Sequence, residues 1–364
     1  MKSLPLHEFH SASGAQFIEL NCGEAVASYG DPLAEHAALC ETAGVLDLSF
    51  RSRLVLTGAD RARFLHGQVT NDVKGLRNGE GCYAALTTAK GRMQSDLFIY
   101  ALPDELLLDF EPGLTAAVSQ RLEKYIVADD VQAVDVAPHY GLLTVQGPKA
   151  EAVVRALGLA NNLPAKSLGF LKIVEATLGE IYLVNQARLG TSGFDLFVPA
   201  AALATVADKL IAAAKPIGGR ACGWQAFEVA RVEAGIPRFG VDMDETNFPQ
   251  ECGIEARAVS YNKGCYIGQE VLNRIHTMGH VNKALRGLRL ADDLKSLPAK
   301  GERLFAAGKE VGQITSAAAS PALKANLALA IVRNEANQIG AELGLGIGEN
   351  QSLGRIVALP FREV

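Results

Sequence analysis

Residues 261–270 read YNKGCYIGQE. The stretch gathers a thiol (Cys265), an ammonium (Lys263), a phenol (Tyr266) and the carboxamide and carboxylate of Gln269 and Glu270 around Gly264 and Gly268. A thiolate, rather than a thiol, is a nucleophile and a metal ligand. Lys263 puts a cation where it favours the thiolate if the backbone turns there, and Arg274 does so if the following helix folds back. The two glycines permit a tight approach or a positive φ. QEVLNRIH, directly after Gly268, reads as a helix start with Glu270 near the positive end of the dipole. On pattern alone, Cys265 is better read as a small residue filling a turn.

The charge around this stretch is uneven. The 364-residue chain carries a net −5, yet from Arg257 to Arg289 six bases face one acid, Glu270, while from Asp242 to Glu255 there are five acids and no base. Such a basic segment can focus an anionic ligand; a solvated cationic face explains it equally well. His276 and His280 stand four apart, but no HExxH motif or third ligand accompanies them, and Gly279 ends the helix between them. The six cysteines form no CxxC pair, so they read as reduced thiols, and no metal centre is expected. No apolar run approaches the ~18–20 residues of a membrane span. The first residues, MKSLPLHEFHSASG, lack an apolar signal core. A cytoplasmic protein without membrane or direct nucleic-acid partners is expected.

Several elements must position these groups. RLVLTG (53–58), DLFIYAL (96–102), ELLLDF (105–110), EIYLVN (180–185) and FDLFVP (194–199) alternate as strands do. Leu114, Val118, Leu122 and Tyr125 recur at helical spacing after Pro112, and helices are also expected over 148–157 and 200–214. Residues 236–270 are rich in Gly, Pro, Asn and acids, which predicts an irregular connection ordered by Ile236, Phe239, Met243, Phe248 and Ile254. Beyond 283, short apolar runs and Gly turns predict a small antiparallel β-barrel or jelly-roll module. GLGIGEN (344–350) lacks the strand–turn–helix context of a nucleotide loop and reads as a β-turn.

RVEAGIPRFGVDMDETNFPQECGIEARAVSYNKGCYIGQEVL (231–272) resembles the folate-binding superfamily of the glycine-cleavage T-protein, an aminomethyltransferase. Lys263–Glu270 matches the K-G-C-Y-x-G-Q-E signature of its YgfZ branch. FLHGQVTNDV (64–73) resembles the family's N-terminal N-D-V segment, and TSAAASPALKANLALAIV (315–332) its C-terminal barrel. The resemblance implies an α+β, three-domain cloverleaf around a tetrahydrofolate site. Its parts would be an N-terminal lobe over 1–135 sharing segments with 220–280, a ferredoxin-like lobe over 136–219, a signature loop and helix over 220–282, and a barrel over 283–364.

The resemblance also assigns residues. The family's T-G-E-x-G-[YF]-E segment, whose acid holds the pterin edge, matches Gly190–Asp195; Ser192 takes the acid's place and Asp195 is the substitute. The G-G-I-x-D-D segment matches Gly91–Asp96, keeping Asp96 near the reacting atoms and replacing its neighbour by Ser95. The A-R-D-x-L-R-L-E-A-G segment matches Ala226–Gly235, with Phe227 at the first arginine and Arg231 at the second. Arg231 is thus a candidate for the folate's anionic tail, against an ion pair with Glu228 or Glu233. The implied catalytic set is Cys265, Lys263 and Asp96, and the implied folate contacts are Asn71, Asp96, Asp195, Arg231, Tyr266, Gln269 and Glu270. The branch implies a tetrahydrofolate-binding protein that assists iron–sulfur cluster assembly or repair, with iron–sulfur proteins, including tRNA-modifying enzymes, as partners. The alternatives are a folate-dependent aminomethyltransferase or other one-carbon transferase, and a non-catalytic folate-binding scaffold.

Overall fold

A computed structural model describes residues 2–279, 281–346 and 352–362. They fall into two compact units, Met1–Ala84 with Leu97–Phe227, and Ala85–Asp96 with Glu228–Val364.

Besides the two-stranded sheet Gln16–Leu20 with Gly23–Ser28, the chain forms two larger, mainly antiparallel sheets ahead of its barrel. In one, strands Phe170–Glu175, Gly179–Asn185, Gly193–Pro199, Tyr140–Gln146, Gly44–Asp47 and Arg220–Ala221 lie in that order, and only the last pair is parallel. Helices Ala150–Ala156 and Leu203–Ala214 contribute Val153, Val206 and Leu210, all fully buried, to its core. The five-stranded sheet orders Gly81–Thr87, Met93–Ala101, Leu106–Phe110, Ser52–Thr57 and Gln132–Asp135. Here the alternation read from sequence becomes burial. Met93, Ser95, Leu97 and Ile99 are fully buried, whereas Gln94, Asp96 and Phe98 on the opposite face are half-buried. That alternation is why Asp96 is presented rather than entombed. The helix expected after Pro112 begins at Thr115 and ends at Glu123, with Val118 and Leu122 inward.

The second unit is built on a closed six-stranded antiparallel barrel, in the order Lys283–Leu290, Ala325–Arg333, Lys309–Ser320, Arg303–Ala306, Glu342–Leu345 and Ser352–Val357. Strand Ala325–Arg333 is apolar on both faces. Ala328, Ala330 and Val332 join Leu288, Leu304 and Ile314 in one cluster, and Leu327, Leu329 and Ile331 pack with Val232 and Leu285 in another. The α+β class with a C-terminal antiparallel barrel is therefore what the chain adopts. The 236–270 segment is irregular, as expected, broken only by short helical turns at Pro249–Cys252 and Glu255–Ala258 and anchored by buried Phe239, Met243 and Ile254. Of GLGIGEN, residues 347–350 lie outside the described residues, as does His280. Among the described residues no helix is long and apolar enough to cross a membrane.

Candidate functional site

The signature segment docks on the hairpin tip 85–96 by way of two glycines. Gly268 starts helix Gln269–Met278 with φ +93°, and a Cβ there would lie 2.7 Å from the Thr88 carbonyl oxygen and 2.8 Å from Thr87 Oγ1. Thr87 Oγ1 donates to the Ile267 carbonyl at 2.7 Å, sealing the approach. From the other side, a Cβ on Gly91 (φ +73°) would meet Leu272 at 3.2 Å and Val271 at 3.3 Å. The far edge of the hairpin is tied to the 244–251 loop. The Arg92 guanidinium lies 3.7 Å from the Phe248 ring centroid and donates to the Thr246 carbonyl at 2.5 Å, and the Met93 amide donates to the Asn247 carbonyl at 3.0 Å. Two sequence motifs almost two hundred positions apart thus belong to one body, with Asp96 on the strand that leaves the hairpin.

Within the signature, Cys265 and Glu270 are exposed and Gln269 is half-buried. Lys263 was expected to act on Cys265. Its ammonium lies 4.8 Å from the ring centroid of Tyr266, a cation–π contact held at 9% exposure. The Tyr266 hydroxyl is buried without a hydrogen-bond partner among the described residues, and burial raises its pKa to about 12. A buried hydroxyl left unpaired costs free energy. His276 stacks on Tyr261 at 3.7 Å and hydrogen-bonds Glu255 at 3.0 Å, so it serves the outer face of the same helix.

Two assigned residues turn out to be held internally. Arg231, proposed for the folate tail, is 1% exposed and pairs with Asp242 and Glu228, with a further bond to Ser316 Oγ. Asp242 in turn accepts from Thr315 and Ser316 at 2.6 Å each. The guanidinium therefore ties Glu228 and the loop that carries Asp242 to Ser316 on the barrel. Glu233, the other partner considered, accepts from Ser320 instead. Asp195, proposed for the pterin edge, is fully buried, and Arg188 donates to it from Nε at 2.9 Å and from Nη2 at 2.6 Å. Both of its oxygens accept from that guanidinium.

Arg188, missed in the sequence, is the centre of a buried network. It also donates to Asp109 at 2.7 Å, and Arg51 bridges Asp109 at 2.8 Å and Glu111 at 2.7 Å. Burial drives the Asp109 carboxyl up, but Arg51 and Arg188 outweigh it and hold it below the ordinary range. Asp195 is raised by burial and by the neighbouring Asp109 charge, which outweigh the pull of Arg188 and of a hydrogen bond from Thr144. Asn71 is a turn brace: its Nδ2 donates to the Tyr83 carbonyl at 2.8 Å, and its Oδ1 accepts from the Asp72 amide at 2.8 Å.

Residues 6–263 match the GCVT N-terminal domain, and residues 283–362 the glycine cleavage T-protein C-terminal barrel domain. The chain belongs to this family. Similar relatives named aminomethyltransferase occur in Herpetosiphon aurantiacus (30% identity, 99% of this chain and 98% of the relative) and Shouchella clausii (29%, 98% and 96%). The crystal structure of the glycine cleavage system aminomethyltransferase T from Bartonella henselae shares the fold, with a TM-score of 0.88 at 23% identity over 99% of this chain and 98% of that one. These relatives overturn the iron–sulfur assembly role read from the signature: the proteins alike over the full length carry a transferase name.

Proposed function

We propose that this chain is a tetrahydrofolate-dependent aminomethyltransferase of the branch marked by Lys263–Glu270. The observation that carries the reading is the docked hairpin, which keeps Asp96 half-buried in one body with the signature. The full-length likeness to aminomethyltransferases supports it. Tetrahydrofolate, when bound, supplies the nitrogen atoms that carry a one-carbon unit. The unpaired buried hydroxyl of Tyr266 suits a polar heterocycle. Asp96 is the group that would hold or release a proton at the reacting nitrogen, Tyr266 would hydrogen-bond the ring, and Gln269 and Glu270 would line the approach at the helix start. Asp195 and Arg231 act from behind as scaffold, since both are already paired.

The test is formation of methylenetetrahydrofolate from an aminomethylated lipoyl protein. Wild type is expected to turn over. Asp96→Asn is expected to lose on the order of 10²–10⁴-fold in kcat while calorimetry still detects tetrahydrofolate binding. No turnover by wild type, or equal turnover by the variant, sinks the assignment. Tyr266→Phe separates ligand contact from packing. Because the hydroxyl has no partner among the described residues, the melting temperature is expected to hold or rise slightly, while folate affinity falls about ten-fold, the worth of one hydrogen bond to a buried group. An unchanged affinity removes Tyr266 from the site.

A further inference from the structure

A cavity of about 560 Å³ opens in the second unit, away from the hairpin. Ile236, Pro237, Leu285, Val357, Leu359 and Pro360 make its apolar lining, and Ile339, 71% exposed, stands among them. Two arginines, Arg257 and Arg286, also line it, and not one acid does.

Arg286 is the telling residue. Its Nε donates to the Asn337 carbonyl at 3.0 Å and its Nη1 to the Leu285 carbonyl at 2.9 Å. Those bonds fix the guanidinium plane, and Nη2 is left without a protein acceptor among the described residues. No carboxylate forms an ion pair with Arg286 there. Burial pulls its pKa below the ordinary arginine value, as desolvation of an uncompensated cation must. A guanidinium fixed by two carbonyls, with a donor to spare and apolar walls around it, is built for an anion attached to an apolar body.

We propose that this cavity binds a small organic carboxylate, with Arg286 taking the carboxylate and the Ile236–Leu359 walls taking an aliphatic or aromatic tail. The site lies wholly within residues 234–360 and stands apart from the transferase reading. Phosphate alone lacks the apolar body, and a neutral alcohol lacks the charge, so neither satisfies both halves of the cavity.

The experiment is isothermal titration of the full chain with octanoate, octanol and inorganic phosphate, each with and without tetrahydrofolate. Octanoate is expected to bind saturably, octanol at least ten-fold more weakly, and phosphate not at all. Arg286→Gln should weaken octanoate about ten-fold or more. Ala358→Trp, on an exposed lining residue, should block the cavity and abolish binding while circular dichroism and the melting curve stay those of wild type. Binding that survives both substitutions, binding of octanol or phosphate as tight as octanoate, or no saturation by octanoate overturns the site. Competition by tetrahydrofolate would show that the cavity belongs to the folate site and would equally overturn it. The transferase assay is indifferent to all of these results, so the two readings fail separately.

Discussion

Arg188→Met is expected to destabilise the chain by about 3–5 kcal/mol, because it leaves charged groups buried without their partner. Asp195 and Asp109 are both fully buried, and Arg188 donates to each of them. Urea denaturation followed by tryptophan fluorescence of Trp224 measures the loss. The double variant Arg188→Met, Asp195→Leu should recover part of it, since removing both charges is far less costly than removing one. A loss below about 1 kcal/mol for the single variant, the range of an exposed pair, would show that the network is not a structural anchor.

The same network predicts a pH dependence. The folded pKa of Asp109 lies below its ordinary value, so its stabilising contribution is complete above about pH 4 and is lost as pH falls through the lowered value. Asp195 has the opposite sign. Its raised folded pKa makes its contribution complete below the ordinary value and lost as pH rises through the raised one. Asp109→Asn should therefore flatten the acid limb of the stability curve while lowering the plateau.

Gly268→Ala carries the second large effect. The left-handed backbone at φ +93° costs an alanine about 1–2 kcal/mol by itself. The added Cβ would also meet the Thr88 carbonyl at 2.7 Å, and backbone yields less readily than a side chain. A total of about 2 kcal/mol or more is expected, together with a loss of turnover exceeding what the fraction unfolded explains. Gly91→Ala is the milder comparison, because its nearest neighbour, at 3.2 Å, is the end of the Leu272 side chain. Amide exchange at Met93, whose N–H is held by the Asn247 carbonyl, should rise in the first variant and much less in the second. Equal stability of Gly268→Ala and wild type would mean that the hairpin and the signature are not locked together.

Strands were legible where the sequence itself alternates, although Phe170–Glu175 and Gly81–Thr87 passed unread. EIYLVN and FDLFVP became Gly179–Asn185 and Gly193–Pro199 because alternation is a local property of the chain. The left-handed start at Gly268 was legible for the same reason, glycine being the residue that such a turn needs. The partners of the charged residues were not. Arg231 was weighed against Glu228 and Glu233, its neighbours on the helix, but its deepest partner is Asp242, which a loop carries back. Arg188 gave no signal at all: it sits in NQARLG, an unremarkable turn, and its role comes from Asp109 some eighty positions earlier. A carboxylate quoted from a family motif can likewise be spent on such a partner, as Asp195 is. Tertiary electrostatics has no period for a sequence reading to detect.

The hairpin tip also sets an order of events during synthesis. Residues 85–96 leave the ribosome long before 266–272, which supply the Gly268 contact. At ~5–20 residues per second the tip waits on the order of ten seconds or more for the segment that closes over it. During that interval Arg92 lacks the Thr246 carbonyl and the Phe248 ring, and the Thr87 hydroxyl lacks the Ile267 carbonyl. A nascent chain halted anywhere before residue 244 therefore carries that strand end without the segments that complete it.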